Sequence, residues 1–262
     1  MYDASKVYAI ALKDLKEAFS SISIYGPMLA IPIIFSIALP IFTFYVSKYA
    51  APGILSSIAG INIINMPYNI GNMYFIKFFV LNILGPIFLT MPIITASVIA
   101  ADSFAGEKER KTAESLLLTP TSNFELLAGK ILASLIPALL LTVAIFIIYA
   151  SITNYMSMKD FGVYLFPNAS WYLMLLNAPF LALTTIGLVV LVSAKVKGVK
   201  EAQQISTLLI LPILVIPFIS IFNIANLTVG FFLGMLLVLI ATSTLVLYLS
   251  VKSFNRESFI SI

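Results

Sequence analysis

Six long apolar stretches dominate this chain, and almost no ionisable side chain falls within them. Because the hydrocarbon core of a bilayer is about 30 Å thick, a helix needs about 20 apolar residues to cross it. Backbone polar groups in lipid must be satisfied within the segment, so each stretch predicts a transmembrane helix. The predicted spans are Pro27–Val46, Phe75–Ala101, Phe124–Ala150, Trp171–Val192, Ile205–Phe222 and Val229–Val251. The sequence therefore predicts an all-α, polytopic integral membrane protein.

The composition supports this class and excludes several functions. Of the 262 residues, 61% are hydrophobic and only 10% are charged, whereas about 25% of the residues in a soluble domain are charged. Six spans leave only connecting loops and short tails, so residues 1–262 are predicted to form a single membrane domain. The chain contains no Cys and no His, which excludes disulfides, thiol nucleophiles and the commonest zinc ligands.

The basic residues indicate how the spans are oriented. Six alternating spans leave only Lys48, Lys77 and Lys159 on one side, and the other twelve of the fifteen Lys and Arg residues on the opposite side. Basic residues are enriched on the cytoplasmic side of membrane proteins. Both termini are therefore predicted to be cytoplasmic, and the chain is predicted to be a multi-pass protein of the cell membrane.

Residues 2–22 predict an amphipathic helix ahead of the first span. Its apolar side chains recur at helical spacing and are Tyr8, Ala11, Leu12, Leu15, Phe19 and Ile22. Lys13, Lys16 and Glu17 fall on the opposite face, and Ile10 interrupts the pattern. Such a helix lies along the inner membrane surface, with its lysines near anionic headgroups. It acts either as a surface anchor or as an elbow that couples a cytoplasmic partner to the spans.

The connection between the second and third spans, residues 102–123, is the most polar segment of the chain. Dense mixed charge is followed by a short apolar run at Leu116–Leu118 and then by Pro120, which ends a helix. Ser122 and Glu125 have the spacing of a capping box, which starts the third span. We therefore expect a short amphipathic helix held at the membrane face between two long spans.

The residue order of this loop resembles the inner loop of type-2 ATP-binding-cassette (ABC) transporter permeases. The shared run is Glu-Lys-Glu-Arg-Lys-Thr-Ala-Glu-Ser-Leu-Leu-Leu-Thr-Pro at residues 107–120, followed by Gly129-Lys130. One departure is Lys111, because the family has a glycine before the threonine that is Thr112 here. The charged lead-in at residues 13–17 and six spans with both ends inside are also similar to this family.

The resemblance implies a division of labour. Such permeases pair as two six-span halves, as a homodimer or heterodimer, and each half docks on a separate cytoplasmic ABC ATPase subunit. The loop helix at about residues 112–118 would be the coupling helix, with the helix at residues 2–22 and its Lys13, Lys16 and Glu17 beside it. The implied docking residues can pair across an interface and fix its register. They are Glu107, Glu109, Arg110, Thr112, Glu114, Leu116 and Leu117.

The chain lacks the motif that binds nucleotide. No Gly-x-x-x-x-Gly-Lys-Ser/Thr phosphate loop occurs in it. ATP and Mg²⁺ would therefore be used by the partner ATPase, while this chain binds no cofactor or metal and is not itself an enzyme. The predicted spans contain no buried Asp or Glu, which ion-coupled carriers usually need. Their neutral polar groups suit an apolar or amphipathic substrate, and the resemblance favours export.

Three other functions remain as alternatives from the sequence. The chain is an ATP-independent channel or secondary carrier in the first, and a non-transport membrane scaffold for the same ATPase in the second. The third is an intramembrane enzyme, which the absence of His disfavours. Apart from an ATPase and a second half, the expected partner is membrane lipid, and nucleic acid is not expected.

Overall fold

The computed structural model describes residues 3–49, 68–112, 121–196, 198–219 and 229–254. These residues are mostly helical, and no strand occurs within the described ranges. The α-helices in chain order are α1 (Ala4–Ser20), α2 (Ile22–Ile33), α3 (Leu39–Tyr49), α4 (Tyr68–Phe79), α5 (Gly85–Phe88), α6 (Thr90–Ala101), α7 (Glu107–Glu109), α8 (Asn123–Phe161), α9 (Ala169–Ser193), α10 (Val199–Ile219) and α11 (Val229–Ser253). Three π-helical segments continue the helices between them: Ile34–Ala38, Val80–Leu84 and Asp102–Gly106.

Within the described ranges, five helical stretches are long and apolar enough to cross a membrane. They are Met28–Tyr49, Gly85–Glu109, Asn123–Phe161, Ala169–Ser193 and Val229–Ser253. These stretches confirm an all-α membrane fold and correspond to five of the six predicted spans. The remaining predicted span, Ile205–Phe222, is helical as far as Ile219, and residues 220–222 lie outside the described residues. The count of six spans and the cytoplasmic termini stay predictions.

The second span is the centre of the bundle. Ten of the twelve residues of α6 are buried, and the helix packs against α2, α8, α9 and α10. A helix that is hydrophobic all round is expected in such a position, because every face meets another helix. The spans that surround α6 have one face exposed, as lipid contact requires.

The third span is longer than its predicted range, Phe124–Ala150. Helix α8 has 39 residues, which corresponds to roughly 58 Å and exceeds the thickness of the hydrocarbon core. The polar residues after Ala150 end the apolar run but do not break the helix. It ends only at Gly162, whose φ of 70° is the left-handed conformation that glycine adopts without strain.

Polar contacts identify the two ends of the bundle. At one end Lys48 and Asp160 form an ion pair at 3.1 Å, which joins the last turns of the first and third spans. At the opposite end the Lys108 ammonium lies 3.4 Å from the Ala194 carbonyl oxygen, joining the ends of the second and fourth spans. The ends of alternate spans therefore meet, as in an up-and-down bundle. The end with Lys108 is called the charged end below, and the end with Lys48 the aromatic end.

The cores of the two halves differ in residue type. Toward the charged end the buried residues are mainly Ala and Val, including Ala96, Ala100, Ala101, Ala138, Ala182, Val189 and Val190. Toward the aromatic end large rings pack together, including Phe35, Phe88, Phe146, Tyr149, Phe166 and Trp171. Small side chains allow helix backbones to approach closely, whereas the rings separate the helices and fill the space between them.

The prediction that the spans contain no buried Asp or Glu is wrong. The second span does not end at Ala101, because a π-helical segment carries it on to Glu109. Asp102 and Glu107 are therefore part of this span, and they are 8% and 3% exposed. Glu125, in the first turn of α8, is also buried. All three carboxylates lie at the charged end, where cations and backbone N–H groups satisfy them.

Candidate docking and coupling site

Helix α1 lies against the start of α8, and a glycine makes this contact possible. A Cβ atom on Gly129 would lie 2.8 Å from the Ile10 Cβ atom and 3.0 Å from the Val7 carbonyl oxygen. Real Cβ atoms do not approach other heavy atoms so closely, so a larger residue would displace α1. Ile10, which interrupts the apolar pattern of α1, is thus the residue that packs on the third span.

Helix α1 has three faces rather than the predicted two. The face against the protein carries Ala11, Asp14 and Ala18, all of which are buried. Of the predicted apolar stripe, Tyr8 and Phe19 are 66% and 51% exposed, and they are free to meet lipid. The assignment of Ala11 to that stripe is wrong, because its side chain is buried within the protein. The helix also begins at Ala4 and ends at Ser20, two residues inside each predicted end.

Glu125 caps two helices at once. Its Oε2 atom accepts a hydrogen bond of 2.7 Å from the Ser122 N–H, and the Ser122 hydroxyl accepts one from the Glu125 N–H. This is the predicted capping box, which the structure confirms. The Oε1 atom accepts a second bond of 2.9 Å from the N–H of Asp3, the N-cap residue of α1. The starts of α1 and of the third span therefore share one carboxylate.

Asp3 completes the start of α1. Its side chain accepts hydrogen bonds from the Ser5 hydroxyl and the Ser5 N–H, which lower the pKa of the Asp3 carboxyl. The ionised form is favoured at a helix N-terminus because the macrodipole is positive there.

A buried lysine connects α1, the second span and the third span. The Lys130 ammonium lies 2.7 Å from Glu107 Oε2, 3.3 Å from Asp14 Oδ2 and 2.5 Å from the Ser103 carbonyl oxygen. Lys130 is 1% exposed, and its ammonium also lies 5.4 Å from the centre of the Phe104 ring. A buried ammonium is tolerated only when carboxylates and hydrogen-bond acceptors surround it in this way.

A second lysine balances the charge of this cluster. The Lys13 ammonium lies 2.8 Å from Glu107 Oε1 and 3.4 Å from Asp14 Oδ1, so two lysines face two carboxylates. The Ser103 hydroxyl donates to Asp14 and supplies a further contact. Partial burial disfavours the charge on Lys13, but the hydrogen bond and charge of Glu107 outweigh it, so the pKa of Lys13 is raised.

An arginine makes a second attachment of α1 to the same region. Arg110 binds Asp102 and Glu17, with nitrogen–oxygen distances of 2.8 Å to each carboxylate. The hydrogen bond that the Arg110 guanidinium donates to Asp102, together with the nearby negative charges, raises the pKa of Arg110. A Cβ atom on Gly106 would lie 2.8 Å from Asp102 Oδ1 and 3.1 Å from the Arg110 guanidinium, so glycine leaves room for this pair. The seven charged residues joined in these contacts are called the ion-pair network: Lys13, Asp14, Glu17, Asp102, Glu107, Arg110 and Lys130.

The second span ends in a turn at Lys111, the position where the type-2 ABC permeases that this loop resembles have glycine. Lys111 has a φ of 56°, in the left-handed region. The Lys111 N–H donates to the Lys108 carbonyl oxygen at 3.1 Å, and the Thr112 N–H donates to the Glu107 carbonyl oxygen at 2.9 Å. These two bonds define a Schellman motif, in which glycine usually holds the left-handed position. The turn is therefore kept, and Lys111 adopts a strained backbone conformation to form it.

The structure separates the predicted docking residues into two groups. Glu107 is buried in the ion-pair network, whereas Glu109, Arg110 and Thr112 are exposed. Glu109 also accepts a hydrogen bond of 2.9 Å from the Val199 N–H, which ties the loop to the start of α10. Residues 113–120 lie outside the described residues, and with them Glu114, Leu116 and Leu117.

The three charged residues predicted on the polar face of α1 differ in their contacts. Lys13 and Glu17 are members of the ion-pair network, whereas Lys16 is exposed. Sequence reasoning missed Asp14, Ser103 and Asp102. A spacing signal was available, because Val7, Ala11, Asp14 and Ala18 form a separate helical stripe of small or polar residues. No cluster of His, Cys, Asp or Glu suited to a metal ion occurs in the part of the chain that the structure describes.

Comparison with protein-family profiles places the chain in a family. The profile of a family described as ABC-2 family transporter protein matches residues 8–250, which is nearly the whole chain. No curated protein matches the sequence.

Proposed function

Because the chain belongs to the ABC-2 transporter family, we propose that it is one permease half of a transporter energised by a separate ABC ATPase subunit. The charged end would face the cytoplasm and receive that subunit. The observation that carries this proposal is the ion-pair network. It joins α1, the end of the second span and the start of the third span into one unit, which includes the exposed Arg110 and adjoins the exposed Glu109.

The two groups of predicted docking residues have different roles in this proposal. Glu109, Arg110 and Thr112 are exposed and would contact the ATPase, together with Glu114, Leu116 and Leu117 from the adjoining segment. Glu107 is a positioning residue, since its carboxylate binds Lys13 and Lys130. A force applied to the docking face would reach α1 and the third span through these buried contacts, because ion pairs with fixed geometry resist relative sliding.

Several finer properties follow from the same proposal. The chain would pair with a second permease half in the cell membrane and would export an apolar or amphipathic substrate. The hydroxyl groups of the spans support an apolar interior. Thr95, Thr142 and Thr185 each donate to a carbonyl oxygen one turn earlier in their own helix, so these groups are satisfied without a polar cargo.

Copurification tests the docking face. The tagged chain is expressed with the ABC ATPases of its source organism, and the bound ATPase is quantified. Replacing Glu109 and Glu114 by Lys is expected to reduce recovery at least tenfold, because like charges then meet across the interface. The matched control is Lys159→Glu, a charge reversal of an exposed residue at the aromatic end. Equal recovery of the ATPase by both variants would reject the assigned face.

The buried carboxylates favour one alternative function, an ion-coupled carrier. Asp102 and Glu107 lie within the second span, and carboxylates in such positions often mark ion pathways. Their complete pairing at one end of the bundle, rather than near its midplane, favours a structural role. Proteoliposomes that contain the chain alone decide between the functions. Ion-driven solute flux without ATPase or ATP would support the carrier and contradict the ATP-driven permease.

A further inference from the structure

A pocket of about 500 Å³ opens at the aromatic end, far from the ion-pair network. Its volume lies within the range of about 300–1,000 Å³ that is usual for small-molecule sites. The apolar wall is formed by side chains that are less than a tenth exposed: Ile76, Val80, Phe166 and Trp171. Lys77 and Tyr164 also line the pocket, and both are exposed. The pocket thus combines an apolar wall with an open polar rim.

Lys77 is a cation without a carboxylate partner in the described residues. Nine of the eleven acidic residues are described, since Glu114 and Glu257 are not. Eight of these nine belong to α1 and its N-cap residue, to residues 102–125 or to the start of α10, all at the charged end. The ninth, Asp160, forms an ion pair with Lys48. Among the described residues, therefore, no carboxylate is paired with Lys77, and its ammonium is available to an anion from another molecule.

The wall of the pocket also contains an unsatisfied donor. Trp171 is 1% exposed, and its indole Nε1 has no hydrogen-bond partner among the described residues. A buried tryptophan N–H usually has a partner. The ring itself packs against Phe88, Phe166 and Tyr149, with centroid distances of 5.2, 4.6 and 5.3 Å. This packing holds the indole in place within the wall.

From this geometry we infer that the pocket binds an amphiphile with an anionic headgroup. The headgroup contacts the Lys77 ammonium at the rim, and the hydrocarbon chain lies against Ile76 and Val80. The long apolar stem of lysine allows its ammonium to reach the headgroup level, and an ammonium pairs well with a phosphate oxygen. Assignment of the bound amphiphile as transported substrate rests on the proposed permease function, whereas binding itself does not.

Trp171 provides a direct measurement, because it is the only tryptophan in the chain. The purified chain in a maltoside detergent is titrated with dodecyl phosphate while tryptophan emission is recorded. We expect a saturable change in emission. Lys77→Gln is expected to weaken binding about tenfold, because a hydrogen bond to a charged group is lost. Lys159→Gln, which removes another exposed lysine at the aromatic end, should leave the affinity unchanged.

Two further probes separate the parts of the ligand. Inorganic phosphate alone should leave the emission unchanged, because it lacks the apolar chain, and added dodecyl maltoside should do the same because it lacks the charge. Equal affinity of Lys77→Gln and the native chain for dodecyl phosphate overturns the inference. A saturable response to inorganic phosphate, or a response to dodecyl maltoside equal to that of dodecyl phosphate, also overturns it.

Nanodiscs distinguish the source of the amphiphile. The same titration is made in discs of phosphatidylcholine and in discs that also contain phosphatidylglycerol. A weaker apparent affinity in the second discs identifies a bilayer lipid as the competing occupant, and an unchanged affinity identifies a different anionic amphiphile; both results support the site. The assay contains neither ATP nor ATPase, so its failure leaves the proposed transport function untouched, and loss of ATPase copurification leaves the pocket untouched.

Discussion

The two ends of the bundle are stabilised in different ways. At the charged end, buried ionic groups from three segments meet at fixed distances, and Lys130 alone contacts Glu107, Asp14 and Ser103. At the aromatic end, the buried contacts are apolar contacts between aromatic rings. An exposed ion pair, Lys48–Asp160, joins the helix ends there. Among the described residues, side-chain polar atoms that are buried without a hydrogen bond of normal geometry also fall mainly there. They include Tyr149 Oη, Thr153 Oγ1 and Trp171 Nε1.

This difference predicts different mechanical behaviour. Apolar contacts lose little when side chains slide past one another, whereas a buried ion pair loses much of its energy when its geometry changes. The charged end should therefore move as one body, and the aromatic end should adapt its packing. In the function proposed above, a permease that receives force at one end and binds a ligand at the other would need this combination.

The largest effect is expected from Lys130→Met. The change leaves Asp14 and Glu107 buried with only the half-exposed Lys13 as a cation, so we expect a loss of about 3–5 kcal/mol in unfolding free energy. Thermal or denaturant unfolding in detergent measures it. The double variant Lys130→Met/Glu107→Gln should recover part of the loss. No recovery would mean that packing, rather than charge, dominates at the charged end.

A smaller loss is expected from Gly129→Ala. The new Cβ atom would approach the Ile10 side chain to 2.8 Å and push α1 away from α8, at a cost of about 1–3 kcal/mol. Ile10→Ala in the same chain should restore only a small part of it, because the Cβ atom of residue 10 and the Val7 carbonyl oxygen remain in place. The matched control is Gly234→Ala, because a Cβ atom there meets nothing within 4 Å. If both alanines have the same effect, α1 is not held by this contact.

A substitution in the strained turn at Lys111 is expected to stabilise the protein, unlike the two preceding substitutions. The left-handed conformation of Lys111 costs about 1–2 kcal/mol of stability, which Lys111→Gly would remove. Glycine in turn makes the unfolded chain more flexible, which costs about 0.5–1 kcal/mol. We expect the variant to be more stable by about 0.5–1 kcal/mol in the same unfolding assay. Lys16→Gly, in the exposed face of α1, should instead be destabilising. Destabilisation by both would show that the Lys111 side chain has a contact of its own.

The smallest effect is expected at the aromatic end. The Tyr149 hydroxyl is buried near the Thr153 hydroxyl but makes no hydrogen bond of normal geometry with it, so Tyr149→Phe should change the unfolding free energy by less than about 1 kcal/mol in either direction. Ser103→Ala is the comparison at the charged end. Its hydroxyl contacts Asp14 and Lys130, and its loss should cost about 1–3 kcal/mol. Similar losses for both hydroxyls would contradict the distinction between the two ends.

The features that depend on local sequence were predictable. Hydropathy located five spans that the structure contains, and the spacing of Ser122 and Glu125 located the start of the third. The contact between Asp14 and Lys130 was not predictable in the same way, because 116 positions separate the two residues. Asp14 stands in a run with three other charged residues, Lys13, Lys16 and Glu17, so the sequence suggests exposure. Its burial depends on where Gly129 allows α1 to pack.

The π-helical segment at Asp102–Gly106 explains why the second span is longer in the structure than hydropathy predicts. An apolar run ends at Ala101, so hydropathy ends the span there, whereas the backbone continues as a helix to Glu109. The extra carboxylates become buried because Arg110 and Lys130 neutralise them. The docking residues came from the resemblance, and composition alone did not separate buried Glu107 from exposed Glu109.

The length of α8 has a consequence for how distant events are related. The helix continues without interruption through Pro137 from Glu125, which caps α1, to Asp160, which meets the first span. These two residues are separated by roughly 52 Å along the helix axis. If α8 tilted by about 5° around Glu125, Asp160 would be displaced by roughly 4.5 Å over that length. A rod with these dimensions turns a small rocking of its base into a shift large enough to open or close a gap between helices.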